Sequence, residues 1–269
     1  KNWELVKDQI TAEIKEFFRT GILPEEWNHT HLCLIPKITN PQRMPDIRPI
    51  SLCSVLYKII SKILSFRLKK HLPTIVSPTQ SAFVAERLVS DNILIAHEIV
   101  HSLQTNPKIS KSFMAFKIDM SKAYDRVEWP FLKGILIAMG FNDKWISWIM
   151  GYVTSFSYSV LINGQSFGLI KPERGICQGD PISPLLFVIC TEALVHILQL
   201  AENNYKVSGI QFNGCGPTIN HLLFADDTLL VCKTTKDACE ELMRCLSQYG
   251  LISGQLINVE KSAITFGAK

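Results

Sequence analysis

Three carboxylates have the type and setting that phosphoryl chemistry needs. Two lie in Phe224-Ala225-Asp226-Asp227, where a pair of acids interrupts two short apolar runs, Ile219 to Phe224 and Thr228 to Cys232. Runs this short, rich in Ile, Leu, Phe and Val and broken by a polar pair, predict a β-hairpin with the acids at its tip. For an isolated Asp-Asp the plain account is a turn, because Asp bonds readily to nearby backbone amides. Here no glycine relieves the turn and the flanks are apolar enough to be buried. Carboxylates so placed repel each other and resist ionisation. A hard divalent cation removes both penalties, and Mg²⁺ favours one or two carboxylates completed by substrate phosphates. The third is Asp119, at the end of an apolar run that begins at Phe113. Taken alone it reads equally as a helix cap. If both runs are strands of one sheet, their ends can meet despite the distance in sequence. Two metal ions about 3.5–4 Å apart on such carboxylates would activate an attacking oxygen and stabilise a leaving one.

The rest of the chain must supply the scaffold. Its 269 residues are ample for one large domain or two modest ones, and 47% of them are apolar, as in globular proteins. No run reaches the roughly 18 uncharged apolar residues of a membrane span. The eight cysteines are scattered without a Cys-x-x-Cys pair, in apolar neighbourhoods that suit reduced core thiols in an intracellular protein. The chain opens at Lys1-Asn2-Trp3 without an initiator Met, as a piece of a longer protein would. Net charge is +4, yet Asn28 to Ile75 holds eight Lys and Arg against Asp46 alone, a local +7 that leaves −3 for the remainder. That asymmetry fits a polyanion partner, and equally a solvated helix face.

Periodicity predicts an amphipathic helix over residues 1–20, with Trp3, Val6, Ile10, Ile14 and Phe17 on one stripe. His31 to Ile35 reads as a strand, 39–49 as a loop and Ile50 to His71 as a long helix with Lys58, Lys62 and Lys69 on one face. Asp91 is placed as the cap of a helix to Gln104, and Asn106-Pro107 as a turn. A helix follows with Pro130 in its first turn and Gly140 at its end, then one capped by Asn142-Asp143. Asn163-Gly164 predicts a type I′ turn joining Tyr158–Ile162 to Gln165–Ile170. Ser183-Pro184 starts an apolar helix to Asn203, Gly250 closes another from Asp237, and Ser262 to Phe266 is a last strand. Strands and helices without strict alternation predict an α+β protein.

On these residues the chain resembles reverse transcriptases. Lys117-Ile-Asp-Met-Ser-Lys-Ala-Tyr-Asp-Arg-Val127, Arg174-Gly-Ile-Cys-Gln-Gly-Asp-Pro-Ile-Ser-Pro-Leu-Leu-Phe187 and Phe224-Ala-Asp-Asp227 are similar to the family's three central motifs, in order. The wording is closest to non-LTR, LINE-type retrotransposons and is plant-like around Trp129. Ile35-Pro-Lys37, Arg48-Pro-Ile-Ser51, Gln80-Ser-Ala-Phe83 with Arg87 and Asp91-Asn92, and Asn258-Val-Glu-Lys-Ser262 extend the likeness over nearly the whole chain.

The resemblance implies a right-hand polymerase fold, with an antiparallel palm sheet packed on helices. It implies a helical extension over 1–20, fingers over 21–112 and 140–172, and a palm over 113–139 and 173–269, with the thumb not included. It implies an RNA-directed DNA polymerase that extends a DNA primer 3′-OH with dNTPs on an RNA template, in retrotransposition. Asp119, Asp226 and Asp227 would hold two Mg²⁺, with Mn²⁺ a possible substitute. Lys261 would be a proton donor to the leaving group, or a solvated lysine. Lys37 and Arg48 would contact the triphosphate, Gln178 and Gly179 the incoming nucleotide's sugar. Tyr124 would be a steric gate against ribonucleotides, or a core aromatic. The implied site of action is the nucleus after a cytoplasmic ribonucleoprotein stage, with no membrane role; oligomeric state stays open. The alternative is a decayed or domesticated copy that binds nucleic acid without polymerising.

Overall fold

A computed structural model describes residues 3–24, 27–212 and 216–267. Lys1 and Asn2 of the first predicted helix, Cys215 and the last two residues lie outside that set. In chain order the elements are α1 (Trp3–Thr20), β1 (His29–Pro36), β2 (Ile47–Leu52), α2 (Val55–Lys69), α3 (Leu72–Ile75), α4 (Val89–Thr105), α5 (Pro107–Ser112) and β3 (Phe113–Ile118). They continue as α6 (Trp129–Ala138), α7 (Asp143–Thr154), β4 (Ser157–Ile162), β5 (Gln165–Ile170), α8 (Ser183–Asn203), β6 (His221–Phe224), β7 (Asp227–Lys233), α9 (Lys236–Ser253) and β8 (Ala263–Phe266). The mixture is α+β, as the sequence predicts.

The chain forms two compact units, each discontinuous: residues 1–68 with 127–185, and 69–126 with 186–269. Compactness and motif content therefore divide the chain differently. Residues 69–112 belong to the second unit, 127–139 and 173–185 to the first.

The first unit is built on a four-stranded sheet in the order β2-β1-β4-β5. β1 pairs antiparallel with β2 and parallel with β4, while Asn163 (φ +50°) and Gly164 (φ +79°) turn β4 into β5. Those two positive φ values are what a type I′ turn demands and Asn-Gly supplies. Helix α1 is tied to α7 by a Trp148 Nε1–H bond to the Phe18 carbonyl (3.0 Å) and an edge-to-face ring contact (5.0 Å). Of the predicted α1 stripe only Phe17 is buried; Trp3 and Val6 are exposed. Tyr57 on α2 stacks on Tyr152 on α7 at 4.1 Å, and both rings are buried.

The predicted helix over Ile50 to His71 is corrected here. Residues 47–52 are strand β2, and helix starts only at Val55. The edge position of β2 explains why Pro49 is tolerated within it: there a residue without an N–H costs no ladder bond. From Val55 onward Tyr57, Ile60, Leu64 and Leu68 face inward, whereas Lys58, Lys62 and Lys69 are exposed.

The second unit contains an antiparallel sheet in the order β6-β7-β3-β8. Ile99 and Leu103 of α4, Ile109 of α5, Ala115 of β3, Leu222 of β6 and Val231 of β7 form one buried cluster against it. Each fully buried side chain of Leu or Ile size is worth about 1.5–3 kcal/mol, which secures the sheet against repulsion among acids at its end. Helix α9 buries Leu242, Cys245, Leu246 and Tyr249, and the Tyr249 hydroxyl donates to the Cys190 carbonyl of α8 at 3.4 Å. Helix α8 is long and apolar enough to cross a membrane, the one such helix among the described residues, yet most of it is buried in protein. An all-round apolar helix is what a core demands.

Three helix boundaries differ from expectation. Leu88, not Asp91, caps α4, which puts Asp91 in its first turn. Asn106-Pro107 opens α5: the Asn106 side chain accepts the Lys108 N–H at 3.1 Å and Pro107 sits where no donor is needed. Helix α9 runs through Gly250 to Ser253, ending at Gly254 (φ +79°).

Candidate active site

The three acids belong to the second unit, which brings them to one end of its sheet. Phe224 pairs with Asp227, so Ala225 and Asp226 alone form the turn between β6 and β7. Asp226 stands at the tip and Asp227 is the first residue of β7. Ala225 is buried at φ +54°, a left-handed conformation that two-residue hairpins usually give to glycine. For alanine it costs about 1–2 kcal/mol. The Ala225 N–H is bonded to the side chain of buried Gln80 (3.2 Å).

Asp119 follows β3, the strand beside β7. Its N–H donates to the Ser262 hydroxyl at 3.2 Å, and its carbonyl accepts the Asn258 N–H at 2.8 Å. The Ser262 hydroxyl in turn donates to the Asn258 carbonyl at 2.7 Å. The chain beyond Asp119 is pinned in the same way: Ser121 N–H bonds to the Leu256 carbonyl (2.8 Å), and Gln255 Nε2 donates to the Ala123 carbonyl (2.8 Å). The Asn258–Ser262 motif thus clamps the backbone that presents Asp119.

The electrostatics tie the group together. The Asp226 carboxyl is pushed above its ordinary value, first by desolvation at the hairpin tip, then by the like charges of Asp227 and Asp119; the nearby Lys261 ammonium acts the other way. The crowding of three acids is the condition a divalent cation relieves. Among the described residues no three His, Cys, Asp or Glu side chains converge into a ready-made metal cage. The donor set fits Mg²⁺ nonetheless, since that ion keeps waters and substrate phosphates among its ligands and takes few carboxylates.

Tyr124 is half-buried in the same unit. Its ring stacks on Phe187 at 5.0 Å and 14°, and its hydroxyl is pushed up to about 12 by burial and by the Asp226 charge. Packing residue and gate are therefore compatible descriptions: Phe187 fixes the ring, and Asp226 lies within electrostatic reach of its hydroxyl.

Lys37, Arg48, Gln178 and Gly179 belong to the first unit. Lys37 follows β1 and donates through Nζ to the Pro45 carbonyl at 2.9 Å; Arg48 lies on β2 opposite Ile35, with its side chain exposed. The Gln178 carbonyl accepts the Ser51 N–H of β2 at 3.4 Å, which joins the 175–180 loop to the same hairpin. Gly179 has φ +100°, and a Cβ there would meet only the Ser51 carbonyl, at 3.7 Å. Glycine is required by backbone conformation more than by lack of room. Below it, buried Asp180 accepts the Tyr152 hydroxyl (2.8 Å) and the Ser183 hydroxyl (3.2 Å), fixing the loop to α7 and α8. Arg174 pairs with Glu128 at 3.1 Å.

A cavity of about 450 Å³ in the second unit, lined by Lys206, Lys233, Thr235 and Glu241 among others, lies at the other end of β7 from Asp227. Seven strand residues put the two ends roughly 20 Å apart. The residues that sequence reasoning leaves without a role are Gln80, Asn92, Asp180 and Ser262. Each bonds a partner well separated in the chain, so no local pattern marks it.

Residues 35–269 match the family model described as reverse transcriptase (RNA-dependent DNA polymerase). The chain is 28% identical over 97% of its length to a Transposon TX1 protein of Xenopus laevis, and 28% identical over 93% to the Pol polyprotein of the retrotransposable element R2DM of Drosophila melanogaster. It spans about a fifth of each, 19% and 22%. A mitochondrial protein of Arabidopsis thaliana is 49% identical over 29% of this chain and 66% of its own. Among solved structures, apo telomerase from Candida tropicalis superposes with a TM-score of 0.62 at 15% identity, covering 98% of this chain and 56% of that one. Telomerase from Candida albicans in complex with a fragment of telomeric RNA gives 0.60 at 16%, covering 99% and 46%. At such identity the likeness shows the fold: α+β, of the right-hand polymerase kind.

Proposed function

The chain belongs to the reverse transcriptase (RNA-dependent DNA polymerase) family, and from that premise we propose that it extends a DNA primer on an RNA template during the copying of a non-LTR retrotransposable element. The observation that carries this reading is the gathering of Asp119, Asp226, Asp227 and Lys261 at one end of the antiparallel sheet. Motif content assigns the palm to 113–139 and 173–269 and the fingers to 21–112 and 140–172, with 1–20 a helical extension.

Asp119, Asp226 and Asp227 would hold two Mg²⁺, or Mn²⁺, which when bound activate the primer 3′-oxygen and stabilise charge on the departing pyrophosphate. The chain's own groups do the rest. Lys37 and Arg48 would bring positive charge to the triphosphate, where it stabilises the charge that develops on the leaving group. The main chain at Gln178-Gly179, held from below by Asp180, packs on the sugar. Tyr124, braced by Phe187, fills the space a 2′-hydroxyl would need. Lys261, whose charge acts on Asp226, delivers a proton to the leaving group.

Primer extension by the full-length protein on an RNA template tests the reading. Extension with dNTPs and Mg²⁺, with rNTPs poorly used, is the expected outcome. Tight template–primer binding without extension would instead identify a nucleic-acid-binding module.

A further inference from the structure

Gln80 lies far from the acids in sequence, yet it is fully buried behind the turn that carries Asp226. Its Oε1 accepts two backbone N–H groups, from Ala82 at 3.0 Å and from the left-handed Ala225 at 3.2 Å. Its Nε2 donates to the Thr191 hydroxyl at 3.3 Å, which in turn donates to the Val188 carbonyl at 2.8 Å. One amide thus links the strained turn to α8.

The segment around it is braced on every side. The Leu223 N–H bonds to the Thr79 carbonyl (2.9 Å) and the Ser81 N–H to the Leu223 carbonyl (3.2 Å), so residues 79–81 run beside β6. Asn92 Nδ2 donates to both the Thr79 and Leu223 carbonyls, at 3.1 and 3.0 Å. The Arg87 guanidinium gathers the carbonyls of Pro73 (3.2 Å), Val76 (2.8 Å), Ser77 and Gln80 (2.7 Å). A surface loop does not need such bracing. A loop that must hold an unfavourable turn in place does.

We propose that Gln80 is a positioning residue for the metal-binding acids: by holding Ala225 in its left-handed conformation it fixes where the Asp226 carboxylate stands relative to Asp119 and Asp227. The inference rests on reading those acids as the metal site. Without the amide, the buried Ala225 N–H loses its partner and the turn relaxes to a conformation easier for alanine, carrying Asp226 with it.

The test measures Mn²⁺ binding to the protein without nucleotide or nucleic acid, together with the Mg²⁺ dependence of primer extension. Gln80→Leu should weaken Mn²⁺ binding and raise the half-saturating Mg²⁺ by about tenfold, the effect of leaving one buried donor unpaired, with KM for dNTP changed less than about twofold. Ala225→Gly in that background should recover most of the loss, because glycine adopts the left-handed turn without help. Gln80→Glu, which keeps the accepting oxygen, should fall between. Should Gln80→Leu fail to fold, Thr191→Val loosens the same amide and is expected to shift the Mg²⁺ requirement by about threefold. Unchanged metal affinity in a folded Gln80→Leu or Thr191→Val protein, or no recovery with Ala225→Gly, would overturn the proposal. Asp226→Asn, run in parallel, separates the two layers. If it loses Mn²⁺ and Gln80→Leu does not, only the role of Gln80 falls; if Asp226→Asn also binds normally, the metal reading itself fails and takes the inference with it.

Discussion

The two four-stranded sheets are built to different standards of rigidity. In the second unit β7 runs through the core, with Leu230, Val231 and Cys232 fully buried, and side-chain bonds from Gln80, Asn92 and Ser262 hold the backbone at its functional end. In the first unit every residue of β5 is exposed, β1 buries only Thr30, and Arg48 projects from an edge strand. Under the proposed function, the difference follows from what each sheet must present. Mutually repelling carboxylates keep a productive spacing only if the frame resists them. Cations that meet a triphosphate need reach and charge, and tolerate a looser mounting.

That contrast makes its sharpest prediction in kinetics. Asp119→Asn or Asp226→Asn should lower the rate of nucleotide addition at least about a hundredfold with the fold intact. Lys37→Gln or Arg48→Gln should instead raise KM for dNTP by about tenfold, the scale of one charge-assisted bond. Single-turnover extension separates the two, and a loss confined to the rate constant in all four variants would erase the distinction.

Tyr124→Val should raise the ratio of rNTP to dNTP incorporation by roughly tenfold or more, because a gate acts by bulk, and Tyr124→Phe should leave it unchanged. If neither variant shifts the ratio, the stack on Phe187 is the whole purpose of the ring. A smaller effect is expected along helix α2. Replacing the exposed Lys58, Lys62 and Lys69 of α2 by Gln should reduce the salt dependence of template–primer binding by roughly 0.7–0.9 for each phosphate no longer neutralised. An unchanged slope would mean this face meets only solvent.

The smallest effect concerns stability. Burial pushes the Glu192 carboxyl of α8 up to about 7 from 4.5, against the bond from Ser77 N–H and the Arg87 charge, and one of its oxygens is buried without a partner. The folded protein therefore keeps a proton that the unfolded chain releases between those values, and stability falls as pH rises through that window. Glu192→Gln should flatten this dependence and gain about 1–3 kcal/mol at pH 8, with little change at pH 4, as read by thermal or denaturant unfolding. A loss at pH 8 would show that the Arg87 interaction outweighs the cost of burial.

Much of this was legible in the chain. Asn163-Gly164 fixed its hairpin because the turn needs φ > 0 at both residues, and Ser183-Pro184 marked the start of α8 because cap and proline act locally. The paired acids at Phe224–Asp227 announced themselves by charge amid apolar flanks. Strand β2 did not, since its apolar pattern runs on into α2 and only pairing with β1 selects the strand. Gly250 misled as a helix end: it lies inside α9 where a Cβ would come within 2.8 Å of the Gln255 carbonyl. Gln80, Asn92 and Ser262 act through partners more than a hundred residues away, so their meaning is tertiary and no local pattern carries it.

The interleaving of the two units also sets an order of events during synthesis. The segments of the first unit have all been made once Leu185 leaves the ribosome, whereas β3 of the second is already waiting by then. Its neighbour β7 starts about 110 residues after β3 ends, and β8 comes later still. At about 5–20 residues per second, β3 remains an unpaired apolar segment for roughly 5–20 s. Of these strands, the one that leads to Asp119 thus waits longest for its first partner, and a ribosome stalled before β7 leaves a protein with one finished unit and an unpaired strand.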